Sequence, residues 1–211
     1  MWLDNNANNI YVADAINARI RVVSTGGNVT TLAGNGSYGS GGSGTNASFG
    51  NMLALTGDGM GNLFLSQEGG GSVWSLPVVG TPITGVLRIT EGGGIVSTLA
   101  GTTSTTTSTD GDTSSATFNI AGLVAPGLTS DVTGLVYDKA NKILYVAYGI
   151  YGIRAINFTT GKVSTILPTP DTRAATFMNS SSGYVGPMVE DSKGDLIVCN
   201  GFWLYKIQFG Q

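Results

Sequence analysis

Three strand-like runs of this chain end in nearly the same phrase: Val29-Thr30-Thr31-Leu32-Ala33-Gly34, Val96-Ser97-Thr98-Leu99-Ala100-Gly101 and Val163-Ser164-Thr165-Ile166-Leu167-Pro168. Each lies downstream of an apolar run cut to one template: Ile10-Tyr11-Val12-Ala13, Leu63-Phe64-Leu65-Ser66 and Leu144-Tyr145-Val146-Ala147, with a further copy at Leu196-Ile197-Val198-Cys199. A unit repeated at this size is one supersecondary module copied in tandem, and such modules bury their faces only by stacking on each other. The chain is therefore held to a repeat architecture, whatever else its composition allows.

Within each unit the elements are short, rich in Val, Ile, Leu, Tyr and Thr, and bounded by Gly, Asn or Asp, which reads as strands. Turns such as Asp58-Gly59-Met60-Gly61-Asn62, Asp138-Lys139-Ala140-Asn141-Lys142 and Asp191-Ser192-Lys193-Gly194-Asp195 join first to second strands. Asp and Asn cap such turns with their side chains, and Gly supplies positive φ. Four antiparallel strands per unit predict an all-β fold, a β-propeller of four-stranded blades. The units fall at about residues 1–34, 51–101, 133–168 and 185–211 of a single domain. The first unit starts inside a first strand and the last lacks a fourth, so the expectation is about four blades of a larger or oligomer-completed propeller. Second strands are apolar throughout, predicting cover on both faces. Third strands alternate, as in Arg19-Ile20-Arg21-Val22, predicting one wetter face. The connections at 35–46, 102–115 and 168–173 are rich in Gly, Ser and Thr, and 102–109 is a low-complexity tract that also suits O-linked sugars. They lead into Ala47-Ser48-Phe49, Ala116-Thr117-Phe118 and Ala175-Thr176-Phe177, whose rings are expected to plug the gaps between blades.

With 211 residues, 41% of them hydrophobic, the chain can build a real core. Charged residues make up only 11%, against about 25% in ordinary globular chains. A weakly charged, hydroxyl- and amide-rich surface points to an extracellular or cell-surface setting. The net charge of −3 with no Lys/Arg run argues against nucleic acid, whose binding draws on phosphate neutralisation. No apolar run approaches the roughly 20 residues of a membrane span, and Met1-Trp2-Leu3-Asp4 lacks the basic and apolar stretches of a secretory leader. Cys199 is the single cysteine and occupies the slot of Ala13, Ser66 and Ala147, so it reads as a small packed thiol. Histidine is absent, which removes the commonest general base and zinc ligand. No nucleophile elbow, phosphate loop or paired-acid pattern stands out, so no catalytic, cofactor-binding or metal residue is assigned. Asp4-Asn5-Asn6 and Asp110-Gly111-Asp112 are oxygen-rich, but a calcium ion takes six or more oxygens, and solvated turns are the better reading. Asn28, Asn35, Asn46, Asn157 and Asn179 each open an Asn-x-Ser/Thr sequon and are expected to carry glycans. Tyr148, Tyr151, Phe202, Trp203 and Tyr205 gather around second-to-third-strand loops and form the expected interaction patch.

The series Ile10-Tyr11-Val12-Ala13-Asp14, Asn17, Arg19-Ile20 and Val29-Thr30-Thr31-Leu32-Ala33-Gly34, followed by a Gly-rich connection and Ala47-Ser48-Phe49, resembles an NHL repeat. The resemblance implies a propeller, commonly of six blades, with a polar trio at Asp14, Asn17 and Arg19. The other units depart from it, with Gln67 and Gly70, Tyr148 and Tyr151, and Asn200 and Trp203 at the corresponding places. The trio is therefore read as a brace in which Arg19 bridges Asp14 and its loop. The expected function is a non-enzymatic extracellular structural or protein-interaction module. It would be glycosylated, would meet protein partners or glycans, and would self-associate through open blade edges into an oligomer or fibre, with no cofactor. The alternative implied by the resemblance is a propeller hydrolase or lyase with a calcium-like channel site. RNA binding, known for relatives with basic faces, is disfavoured by the acidic balance.

Overall fold

The computed structural model describes residues 1–4, 8–39, 42–68, 85–90, 96–100, 108–118, 132–148, 152–168, 185–200 and 203–209. The first unit is a four-stranded antiparallel sheet of β1 (Trp2–Asp4), β2 (Asn9–Asp14), β3 (Arg19–Val23) and β4 (Val29–Ala33), in that order. The second repeats it with β5 (Asn51–Gly57), β6 (Asn62–Glu68), β7 (Gly85–Thr90) and β8 (Val96–Ala100). Three short strands follow: β9 (Ser108–Thr109), β10 (Gly111–Asp112) and β11 (Thr117–Phe118). The third unit is β12 (Val132–Asp138), β13 (Ile143–Tyr148), β14 (Gly152–Asn157) and β15 (Lys162–Pro168), extended on its outer side by β10. The fourth holds β16 (Met188–Glu190), β17 (Leu196–Asn200) and β18 (Trp203–Ile207). The strands of the four units are largely apolar and β-branched runs stopped by turn residues, as the sequence predicts.

The turn acids explain the tight first hairpins. The Met60 and Asn62 backbone N–H groups donate to Asp58 Oδ1 at 2.7 and 3.0 Å. Asn141 donates both its backbone N–H and its amide to Asp138, and Asp191 accepts from the N–H groups of Lys193 and Asp195. The glycine that closes the Val29–Ala33 phrase is equally determined. Gly34 has φ +105°, and a Cβ there would lie 2.3 Å from the Ala18 carbonyl oxygen, so no other residue fits.

Consecutive sheets pack through three apolar cores. The first joins Tyr11 and Ile20 to Phe49, Leu55, Leu63, Leu65 and Ile89. The second joins Phe64 to Phe118, Leu135, Leu144, Val146, Ile156 and Val163. The third joins Tyr145, Ala147 and Ile153 to Met188, Leu196 and Val198. Burying each large side chain contributes about 1.5–3 kcal/mol, so these seams, and not the hydrogen-bond ladders, hold the sheets together. First strands are innermost: β12 lies against both β5 and β16. The Ser66 hydroxyl donates from the second sheet to the Val132 carbonyl at 2.8 Å; on its other side β12 comes close to the fourth unit at Gly134, where a Cβ would meet Gly186 O at 2.8 Å.

Phe49 and Phe118 are wholly buried plugs, as their phase in the sequence predicts, whereas Ala175, Thr176 and Phe177 lie outside the described residues. Leu63 to Ser66 and Leu144 to Ala147 are covered on both faces. Three expectations are corrected. In the first sheet the second strand is open on one side, with Ile10 39% exposed, because no sheet among the described residues covers that face. The third strand β14 is buried from Gly152 to Ile156, since the segment 108–118 folds over it. That segment, read from sequence as loop, is ordered into β9, β10 and β11.

Candidate functional site

The turn from β2 to β3 and the connector that follows β4 lie at one end of the first sheet, where the Tyr38 hydroxyl donates to the Ile16 carbonyl at 3.3 Å. In the first sheet Asp14 ends β2 and a 3-10 turn over Ala15–Asn17 leads into β3. The Asn17 amide donates to Asp14 Oδ1 at 2.8 Å. Arg21 Nε donates to Asp14 Oδ2 at 3.1 Å and its Nη1 reaches Thr31 Oγ1. The Asn17 amide and the Arg21 charge together hold the Asp14 carboxyl below the ordinary aspartate range. Arg19 donates instead to the carbonyls of Asn17 and Asn35. The brace expected between Asp14 and Arg19 is thus made by Arg21, which lies on the same face of β3 two residues on, while the Arg19 guanidinium is taken up by the loop carbonyls of Asn17 and Asn35. Val12, Ala13, Ile16, Val23 and Val29 complete a shallow depression of about 530 Å³ around Asp14, Asn17 and Arg21.

A second polar cluster lies between the second and third sheets. Arg154, on β14, is 1% exposed. Its guanidinium donates to Thr117 O and Thr109 O, each at 2.6 Å, and pairs with Asp110 Oδ1 at 2.8 Å. It also stacks over the Phe118 ring, 4.3 Å from the centroid. Asp110 in turn accepts from the Thr165 N–H and hydroxyl, and these bonds outweigh its partial burial and lower its pKa. Asp112 pairs with Lys162 at 2.7 Å. Neither Arg21 nor Arg154 stands out in the sequence; the available signal is that each follows an isoleucine at the start of a third strand.

The carboxylates of Asp110-Gly111-Asp112 are therefore spent on a clamp and an ion pair, and Asp4 is buried at the first hairpin. Among the described residues no group of three His, Cys, Asp or Glu side chains is placed to hold a metal ion. The calcium-like site implied by the resemblance does not fit these residues. Of the sequons, Asn28, Asn35 and Asn46 are exposed, in the β3–β4 turn and the following connector. Asn157 is half-buried and accepts from the N–H groups of Thr159 and Thr160, while Asn179 lies outside the described residues. Tyr148 ends β13 and Trp203 opens β18 opposite Asn200, so these two share the loop end. Tyr205 is half-buried, and Tyr151 and Phe202 lie outside the described residues. Cys199 is a free, half-buried thiol.

No protein-family model matches the sequence, and no curated protein matches it. Solved structures do resemble it. A protein of unknown function from Bacteroides thetaiotaomicron superposes with a TM-score of 0.60 at 19% identity, over 94% of this chain and 43% of that one. The extracellular domain of a candidate hybrid two-component system from the same organism gives 0.55 at 9% identity, over 99% and 20%. A candidate gluconolactonase gives 0.56 at 12% identity, over 98% and 58%. The chain thus spans 20 to 58% of the lengths of these proteins. The likeness to a candidate gluconolactonase along nearly the whole chain corrects the expectation of a non-enzymatic module. The sparse charge and missing histidine that suggested it do not separate enzyme propellers from inert ones, since activity resides in a few loop-end side chains. Repeated four-stranded sheets, inner first strands and these superpositions together make the chain a β-propeller segment.

Proposed function

We propose that the protein is a propeller hydrolase that opens the ring of a polyhydroxylated lactone. The observation that carries this reading is the superposition on a candidate gluconolactonase over 98% of the chain. The loop end supplies suitable chemistry. Asp14, Gln67, Tyr148 and Asn200 take equivalent register positions at the ends of the four second strands, residue types whose chemistry suits hydroxyl groups. In the proposed reaction a water oxygen bonds to the lactone carbonyl carbon, the acyl–oxygen bond breaks, and the proton lost by the water returns to the released alkoxide to leave a hydroxy acid.

The test follows acid release from D-glucono-δ-lactone by the purified protein, above the spontaneous rate and with chelator present or absent. Wild-type protein no faster than buffer overturns the reading.

The repeat is further read as NHL-like and the setting as extracellular, supported by the first unit's residue pattern and by the exposure of Asn28, Asn35 and Asn46. Intact glycopeptide masses from a eukaryotic secretion host test the sequons, and unmodified peptides at all three would overturn their assignment.

A further inference from the structure

The first and third sheets share a register that assigns a partner to the open face of the first. Arg21 lies opposite Thr31 just after a bulge between Ile20 and Arg21. Arg154 lies opposite Thr165 just after a bulge between Ile153 and Arg154. The hairpin turns fix the rest: Ile10, Val12, Val23 and Val29 correspond to Leu144, Val146, Ile156 and Val163. In the third sheet those four side chains are at most 2% exposed and pack with the Phe118 ring. Arg154 beside them grips the carbonyls of Thr109 and Thr117 and the carboxylate of Asp110. The second sheet repeats the apolar half of the arrangement, with Phe49 against Leu63, Leu65 and Ile89. In the first sheet the same positions are uncovered: Ile10 is 39% and Val29 61% exposed. Val12, Val23, Val29 and Arg21 line the 530 Å³ depression.

We infer that this open face is a docking site for an extended connector segment of another blade, built like residues 108–118, with a carboxylate, two backbone carbonyls for Arg21 and a closing Ala-(Ser/Thr)-Phe. The ring fills the depression between Val12, Val23 and Val29. The carbonyls meet the guanidinium of Arg21, whose Nε and Nη1 are held by Asp14 and Thr31 in the uncovered state. This is continuity with an interface the chain already makes twice, and it stands independently of the hydrolase reading.

The probe is a fluorescein-labelled peptide of sequence Ser-Thr-Asp-Gly-Asp-Thr-Ser-Ser-Ala-Thr-Phe, titrated against the full 211-residue chain by fluorescence polarisation. Saturable binding tighter than about 1 mM is expected, weakened roughly tenfold or more by a Phe-to-Ala change in the peptide and by Arg21→Ala in the protein. The peptide variant leaves the protein untouched, so a misfolded Arg21→Ala does not blunt the test. Absence of saturable binding overturns the inference, as does binding indifferent to both changes. Sedimentation velocity without peptide supplies the second arm. A concentration-dependent dimer abolished by Val12→Asp would show that a second copy of this chain covers the face, which also overturns it; a monomer at all concentrations is the expected result.

Discussion

Arg154 illustrates how one side chain can organise a segment far from it in sequence. A guanidinium 1% exposed is tolerable only because it meets two carbonyls, a carboxylate and an aromatic face at once. Arg154→Met keeps the apolar stem but orphans the carbonyls of Thr109 and Thr117. It is expected to cost on the order of 2–4 kcal/mol in urea unfolding, and Arg154→Lys should recover only part of that, since Lys lacks the planar fork. Glu190 has the opposite character. Burial first, then the charges of Asp138 and Asp191, raises its pKa above the ordinary 4.5. The folded form therefore holds the proton more tightly than the unfolded form, and stability falls as pH rises through the folded value. Glu190→Gln should raise the thermal midpoint at pH 7, and the advantage should vanish below pH 4.5. Equal midpoints for the two proteins at pH 7 would contradict this account. Asp191 runs the other way: hydrogen bonding to Lys206 lowers it to about 2, so its contribution is present above 3.8 and lost as pH falls toward 2. Acid unfolding monitored between those values should be blunted in Asp191→Asn.

At the scale of elements, the first hairpins of the second and third units each depend on one buried acid, Asp58 and Asp138. Asp58→Ala removes the acceptor of three bonds to Met60 and Asn62 and should cost about 1–3 kcal/mol. Chemical denaturation would show it as a lower midpoint with an unchanged slope. These hairpins were legible because everything that makes them is local: an Asp, a Gly or Asn, and apolar runs on either side. The strands of 108–118 were not, because Thr109-Asp110-Gly111-Asp112-Thr113 is a loop by every local criterion. Its order comes from Arg154 and Thr165, 44 and 55 residues away, and their partners are partly backbone carbonyls, which no residue type announces. The same reason hid Arg21. Its equivalence to Arg154 emerges only from strand register, since the flanking sequences Ile20-Arg21-Val22 and Ile153-Arg154-Ala155 share little else. The plugs Phe49 and Phe118 were legible, being apolar residues at constant phase in polar surroundings.

For the whole molecule, the cores lie between consecutive units, and each buried plug belongs to the connector that precedes its sheet. Phe118 is synthesised before the strands β12 to β15 that enclose it, just as Phe49 precedes β5 to β8. During synthesis the first and second sheets therefore each offer a leading seam, together with a waiting aromatic ring, to a partner still inside the ribosome. Assembly is vectorial: the growing end stays sticky while the completed part is sealed, and a pause between units would leave one unsheathed phenylalanine, not a collapsed chain, as the handle for a chaperone.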